Sequence, residues 1–196
     1  LTEEERQGHE ERADREVIAL KSLRHPNIVK VHAFERWPDL RKGYPYIVMD
    51  FVEGHRLYDW RRSQKPSLRR ILAVFRKIAL ALNEMHRLEV FHRDLKSANV
   101  LVRGDDEPVV IDFGISRPKS TYTVTRADVL LGTFSHFSPE YCRYYNSADW
   151  KRGERFIYRP TADLHAVGYM LYQSLTGQPP FKAKEDENAF DLLDEI

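Results

Sequence analysis

The chain has 196 residues, 31 Lys and Arg against 30 Asp and Glu, and a formal net charge of +1. A balance this even provides no global field to recruit nucleic acid, and the length is enough to bury a core. The single cysteine, Cys142, excludes an internal disulfide and cannot make a metal site alone, so it reads as a small packing residue. No apolar run approaches the length of a membrane-spanning helix, no signal peptide is visible, and internal repeats are absent.

In chain order, Val17, Leu20 and Leu23 recur at helical spacing, which predicts a helix that faces a core with those residues and water with its Glu and Arg residues. The turn His25-Pro26-Asn27 follows. Tyr46 to Val52 is an apolar run closed by Glu53 and Gly54, and reads as a buried strand leading into a connection. The pairs Arg61-Arg62 and Arg69-Arg70 flank Pro66 around a helix start. They read first as solvated faces, with a patch for a partner or acidic substrate as the lesser reading. Val100–Val102 and Val109–Ile111 are short β-branched runs separated by the polar turn 103–108, a hairpin signature. Residues 142–155 suggest an exposed loop or short helix. Near the other end, Thr176-Gly177-Gln178-Pro179-Pro180-Phe181 has the pattern of a helix stop, with Gly near the C-cap and Pro blocking continuation.

Two short segments carry chemistry. His92-Arg93-Asp94-Leu95-Lys96-Ser97-Ala98-Asn99 stands just before the first strand of the hairpin, and Asp112-Phe113-Gly114 just after the second. The hairpin would therefore bring Asn99 and Asp112 to one spot. Both offer hard oxygen ligands, which suit Mg²⁺ because that ion prefers oxygen and keeps several waters. Phosphoryl transfer needs a hydroxyl aimed at the γ-phosphate and cations to absorb charge on the moving oxygens. Asp94 would orient or accept the hydroxyl proton, and Lys96 would place a cation beside the transferring group.

These two motifs, in this order, resemble those of the protein kinases, and the lysine at position 96 is what the serine/threonine-specific branch shows. The resemblance implies an α+β, two-lobed kinase-like fold. Residues 1–53 would be a remnant of the small lobe and hinge, retaining only helix C and strands 4 and 5 in the family's nomenclature. Residues 54–196 would be an incomplete, mainly helical large lobe. Glu16 falls at the place of the helix C glutamate that pairs with a nucleotide-anchoring lysine. Met49 takes the gatekeeper position, Asp50 and Val52 present their backbones to adenine, and Leu101 packs beneath the ring. His92, Arg93, Phe113, Gly114 and Asp163 hold the site together, with Asp163 bonding the catalytic-loop backbone. His165 takes a place where Trp or Tyr is more usual, and reads as a satisfied core or half-buried residue. Thr133 bridges Asp94 and Lys96, and Ser138-Pro139-Glu140 closes an activation segment. Glu140 would need an arginine for which the sequence offers no candidate. Thr121, Thr123 and Thr125 are candidate phosphosites, since Arg93 beside the catalytic aspartate suits a loop phosphate.

The implied function is transfer of the γ-phosphate of ATP, with Mg²⁺ or Mn²⁺, to Ser/Thr hydroxyls of a protein substrate, without nucleic acid or membrane contact from this segment. The expected setting is cytoplasmic, or the cytoplasmic domain of a receptor-type kinase, and the style of 163–168 resembles bacterial enzymes. No G-x-G-x-x-G and no strand of the V-A-I-K type precede Glu16. A whole domain of this family runs to about 250–300 residues, at the upper end of single-domain sizes. The expectation is therefore an internal fragment, truncated at both ends, with weak or absent activity alone. Two alternatives stand beside it: a non-catalytic binding or regulatory relative, and a small-molecule kinase of related fold.

Overall fold

The computed structural model describes residues 18–39, 43–113, 136–147, 152 and 156–181. Residues 18–22 close a helix, and Leu20 and Leu23 are buried, as their spacing predicts. Strand β1 (Val31–Trp37) pairs antiparallel with β2 (Tyr44–Met49), with Phe34 opposite Ile47 and an irregularity between Val31 and Ala33. The expectation of a buried strand fails here. Tyr46 and Val48 are 39% and 44% exposed, because among the described residues this sheet has two strands and nothing covers one of its faces.

Beyond the connection 50–54, the short strand β3 (His55–Arg56) pairs with β4 (Val100–Val102), which pairs with β5 (Pro108–Val110), all antiparallel. Gly54 lies where a Cβ would stand 2.8 Å from the Val102 carbonyl oxygen, so only glycine lets the connection close on β4. The hairpin β4–β5 is the predicted one, except that its second strand starts at Pro108 and stops at Val110, since the chain turns into positive φ at Asp112. The segment before β1 docks on this hairpin. Val29 N–H donates to the Val110 carbonyl at 3.0 Å and Val110 N–H to the Asn27 carbonyl at 2.9 Å.

Four helices complete the described structure: α1 (Leu57–Gln64), α2 (Leu68–Arg87), α3 (Pro139–Asn146) and α4 (Pro160–Thr176). Helix α2 starts where the Ser67 hydroxyl accepts the Arg70 N–H. Its apolar residues Ile71, Val74, Phe75, Ile78, Leu82 and Met85 follow the i, i+3, i+4 rhythm and are all buried. At about 1.5 Å per residue its 20 residues reach about 30 Å, the span of a small domain, so it can serve as a spine for everything packed on it. Helix α4 begins with proline at its first turn and ends at Gly177, whose φ of 76° is the left-handed cap glycine adopts without strain. It packs across α2. One core cluster joins Leu20, Val29 and Val31 to Leu57, Trp60, Ile78, Met85, Val100, Val110 and Met170.

Candidate active site

The loop 92–99 is held from below by one buried carboxylate. Asp163, on the first turn of α4, is fully buried and accepts the His92 N–H at 2.9 Å and the Arg93 N–H at 3.2 Å. His86 Nε2 donates to the same carboxylate at 2.8 Å from the end of α2, and the Tyr158 hydroxyl adds a longer contact at 3.4 Å. Burial alone would raise the Asp163 carboxyl. The His86 hydrogen bond and the two backbone donors outweigh burial and hold it below the usual range. Its clamp on the 92–93 backbone coincides with positive φ at Arg93 (64°), a conformation that non-glycine residues adopt only when surrounding bonds over-determine it.

His92 is completely buried beneath the loop. Its Nε2 must be the protonated nitrogen, because it faces the Ile111 carbonyl oxygen at 2.9 Å, and Nδ1 then accepts the Asp94 N–H at 3.3 Å. Both bonds belong to a neutral imidazole. Burial accordingly pushes the His92 pKa down, against the opposing pull of Asp163 and, more weakly, Asp94 and Asp112. The Phe113 ring, itself buried, lies 5.6 Å from the imidazole.

On the solvent side, Asp94 gathers its neighbours. Lys96 Nζ lies 3.2 Å from Asp94 Oδ2, and Asn99 Nδ2 donates to the Asp94 carbonyl at 2.8 Å and to Oδ2 at 3.2 Å. A single 3₁₀ turn, Ser97–Asn99, returns the chain beneath Asp94. With its amide nitrogen turned to Asp94, Asn99 has only its carbonyl oxygen left for another partner. The Ile111 N–H donates to the Asn99 backbone carbonyl at 2.9 Å, so the exposed Asp112 stands one residue away across the hairpin. One exposed carboxylate, Asp112, and the amide oxygen of the buried Asn99 are the kind of donors that fit a hard divalent ion completing its shell with water and phosphate oxygens. Among the described residues no cluster of three or more His, Cys, Asp or Glu could hold a metal by itself.

Met49 and Leu101 lie at the partly open edge of the core. The Asp50 N–H donates to the Lys30 carbonyl at 3.0 Å and its carboxylate meets His32 Nε2 at 2.6 Å, so from this residue only the carbonyl can address a ligand edge. Val52 is buried. Glu140 sits in the first turn of α3. Its own backbone N–H, with the Ser138 and Thr161 hydroxyls, lowers its pKa against burial, and Thr161 Oγ1 donates to Oε1 at 3.2 Å. Glu16, Gly114, Thr121, Thr123, Thr125 and Thr133 lie outside the described residues.

Several contributors were missed by sequence reasoning. His86 closes the Asp163 carboxylate, and its spacing of one turn after the buried Leu82 was the signal available. The turn after β4 was read as a plain polar loop, yet Asp106 accepts from Trp60 Nε1 (3.0 Å) and from both arms of Arg70 (2.6 and 2.8 Å). Glu107 pairs with Lys77 and accepts from Asn27 at 3.0 Å. Arg70 is thus not a free solvated charge. Arg61 is not one either, since its Nε donates to the Ser174 carbonyl at 2.9 Å. His165 is half-buried, as expected, but its Nε2 is buried with no hydrogen-bond partner among the described residues, and burial lowers its pKa.

The protein kinase domain family model matches residues 1–195, and the chain belongs to that family. The chain is 34% identical over 170 residues to serine/threonine-protein kinase PknB of Mycobacterium tuberculosis, covering 85% of this chain and 25% of that protein. It is 32% identical over 171 residues to the probable serine/threonine-protein kinase PknB of Lactococcus lactis, covering 87% and 25%. Mouse serine/threonine-protein kinase Nek1 is 35% identical over 178 residues, covering 89% of this chain and 13% of Nek1. The chain therefore spans about a quarter or less of the length of these relatives. Among solved structures it is similar to Rad53 residues 1–466 in complex with AMP-PNP, with a TM-score of 0.65, 26% identity, and coverage of 92% of this chain and 42% of that one.

Proposed function

We propose that the protein containing this chain is a serine/threonine protein kinase that transfers the γ-phosphate of ATP to a protein hydroxyl. The observation that carries this reading is the arrangement at Asp94: a largely buried carboxylate on a loop fixed from below by Asp163, with a lysine ammonium and the Asn99 amide on the same oxygen. An acceptor hydroxyl placed at Asp94 can pass its proton to the carboxylate, and Lys96 then faces the developing negative charge. Asn99 Oδ1 and the Asp112 carboxylate would hold the divalent ion, magnesium or manganese, which when bound neutralises charge on the phosphate oxygens. The kinase relatives and the nucleotide complex of the structural neighbour support ATP as the donor. Met49, Leu101 and the backbones of Asp50 and Val52 would frame its base.

The test is incubation of the full-length protein with labelled ATP, Mg²⁺ and a mixed protein substrate, followed by identification of the modified amino acids. Label on serine and threonine is the expected result. Label on tyrosine alone would overturn the assignment to the serine/threonine class, and label on neither would overturn the kinase reading.

A further inference from the structure

Next to Asp94 and Lys96 the molecule carries a basic pocket that the transfer chemistry does not use. Its volume is about 180 Å³, and it is lined by Tyr58, Arg61 and Arg62 of α1, Ser97 of the catalytic loop, and Gln173, Ser174 and Gly177 at the end of α4. Ser97 is the neighbour of Lys96 in sequence, so whatever occupies the pocket is within a few residues' reach of a hydroxyl at Asp94.

Both guanidinium groups are held in place by neutral partners. Arg61 is fixed by its Nε donating to the Ser174 carbonyl. Arg62 lies over the Tyr58 ring, 5.7 Å from its centroid. Among the described residues neither arginine has a carboxylate within ion-pairing distance, and none of the pocket's lining residues is acidic. Lys65 extends the same charge into an adjoining open hollow lined by Arg61, Arg62, Lys65 and Pro66. Two ordered guanidinium groups sharing one concavity are the arrangement that recognises a carboxylate or phosphate. Ser97 and Gln173 add neutral donors of the right kind.

We infer that this pocket is a specificity subsite that takes one acidic side chain of the peptide substrate, a carboxylate or a phosphate ester, at a fixed distance from the acceptor hydroxyl. The inference deepens the kinase reading and rests on it. It makes the enzyme selective for acidic substrates, and Arg62 a residue that determines specificity without touching the reacting atoms.

The test uses the full-length protein and a set of peptides with one serine acceptor, in which glutamate, phosphoserine, glutamine or lysine is moved through every position within four residues of the acceptor. At one register kcat/KM for the glutamate peptide should exceed that for its glutamine counterpart by about tenfold, the scale of one charge-assisted contact. That ratio should fall toward one in Arg62→Ala and below one in Arg62→Glu, with the lysine peptide then favoured. Phosphoserine preferred over glutamate by a further several-fold would assign a phosphate as the occupant, and equality a carboxylate. Absence of any acidic preference, or a preference that survives Arg62→Glu, would overturn the inference while leaving the kinase reading intact. Fluorescence anisotropy of the labelled peptides supplies a readout independent of catalysis. If no peptide is phosphorylated the kinase reading fails, and the pocket then stands only if the glutamate or phosphoserine peptide binds more tightly than the glutamine peptide in an Arg62-dependent way.

Discussion

Asp94 and Asp163 are both aspartates beside a histidine, and their surroundings separate their roles. Asp94 keeps one oxygen toward Lys96 and Asn99 and a tenth of its side chain exposed, whereas Asp163 is fully buried with His86 and the His92 and Arg93 N–H groups donating to it. Replacing Asp94 by Asn should lower kcat by about 10²- to 10⁴-fold, the usual range for loss of a general base, with little change in melting temperature. Asp163→Ala should instead destabilise the fold by about 2–5 kcal/mol, because it strands two backbone N–H groups and His86 around a cavity, and urea unfolding checks this. Cys142 offers a third residue-scale check. Burial pushes its thiol up to about 11, so alkylation of the native protein at neutral pH should be far slower than that of free cysteine. The meeting of Asp94, Lys96 and Asn99 was readable from residue type and spacing. The roles of His86 and Thr161 were not, because each acts on a carboxylate 77 or 21 residues away in sequence and only packing brings them together.

At the scale of elements, the hairpin β4–β5 carries the proposed metal ligands, and its turn is tied to the helical layer. Asp106 joins Trp60 of α1 to Arg70 of α2, and Glu107 joins Lys77 of α2 to Asn27 of the segment before β1. Asp106→Ala should cost about 1–3 kcal/mol in stability, the range for losing charge-assisted bonds and leaving the Trp60 indole N–H unpartnered. Equilibrium unfolding would show it as a lower midpoint at unchanged slope. The hairpin, the helix start around Pro66 and the Gly177 stop were legible because β-branched runs, turn residues and cap chemistry are local signals. The exposure of β2 was not, since an apolar run reads the same whether one or both of its faces are covered. The turn's acidic pair was equally silent, because Asp and Glu are ordinary in turns whether or not they anchor anything.

Across the whole molecule, the shifted histidines and carboxylates act in one direction. His92 is held neutral, its pKa lowered by burial, so the unfolded state takes up a proton first as pH falls below the ordinary histidine value of about 6.5. His165 acts in the same sense. Asp163, Asp106, Glu107 and Glu140 all titrate below their ordinary values when folded. Their contributions are complete above the unfolded carboxylate pKa of about 4 and disappear as pH falls through the depressed folded values. Stability should therefore decline gently below about pH 6.5 and steeply below about pH 4, a profile that thermal melts across pH would record. A midpoint that rises on acidification from pH 7 to 5 would contradict the neutral assignment of His92.

The central claim is that the loop around Asp94 transfers phosphate, and the most direct measurement is single-turnover transfer from labelled Mg²⁺-ATP to a serine peptide. It should be made on the full-length protein and on its Asp94→Asn variant under identical conditions. The account predicts rapid transfer by the first and a rate lower by about two or more orders of magnitude in the second. Equal rates would contradict it.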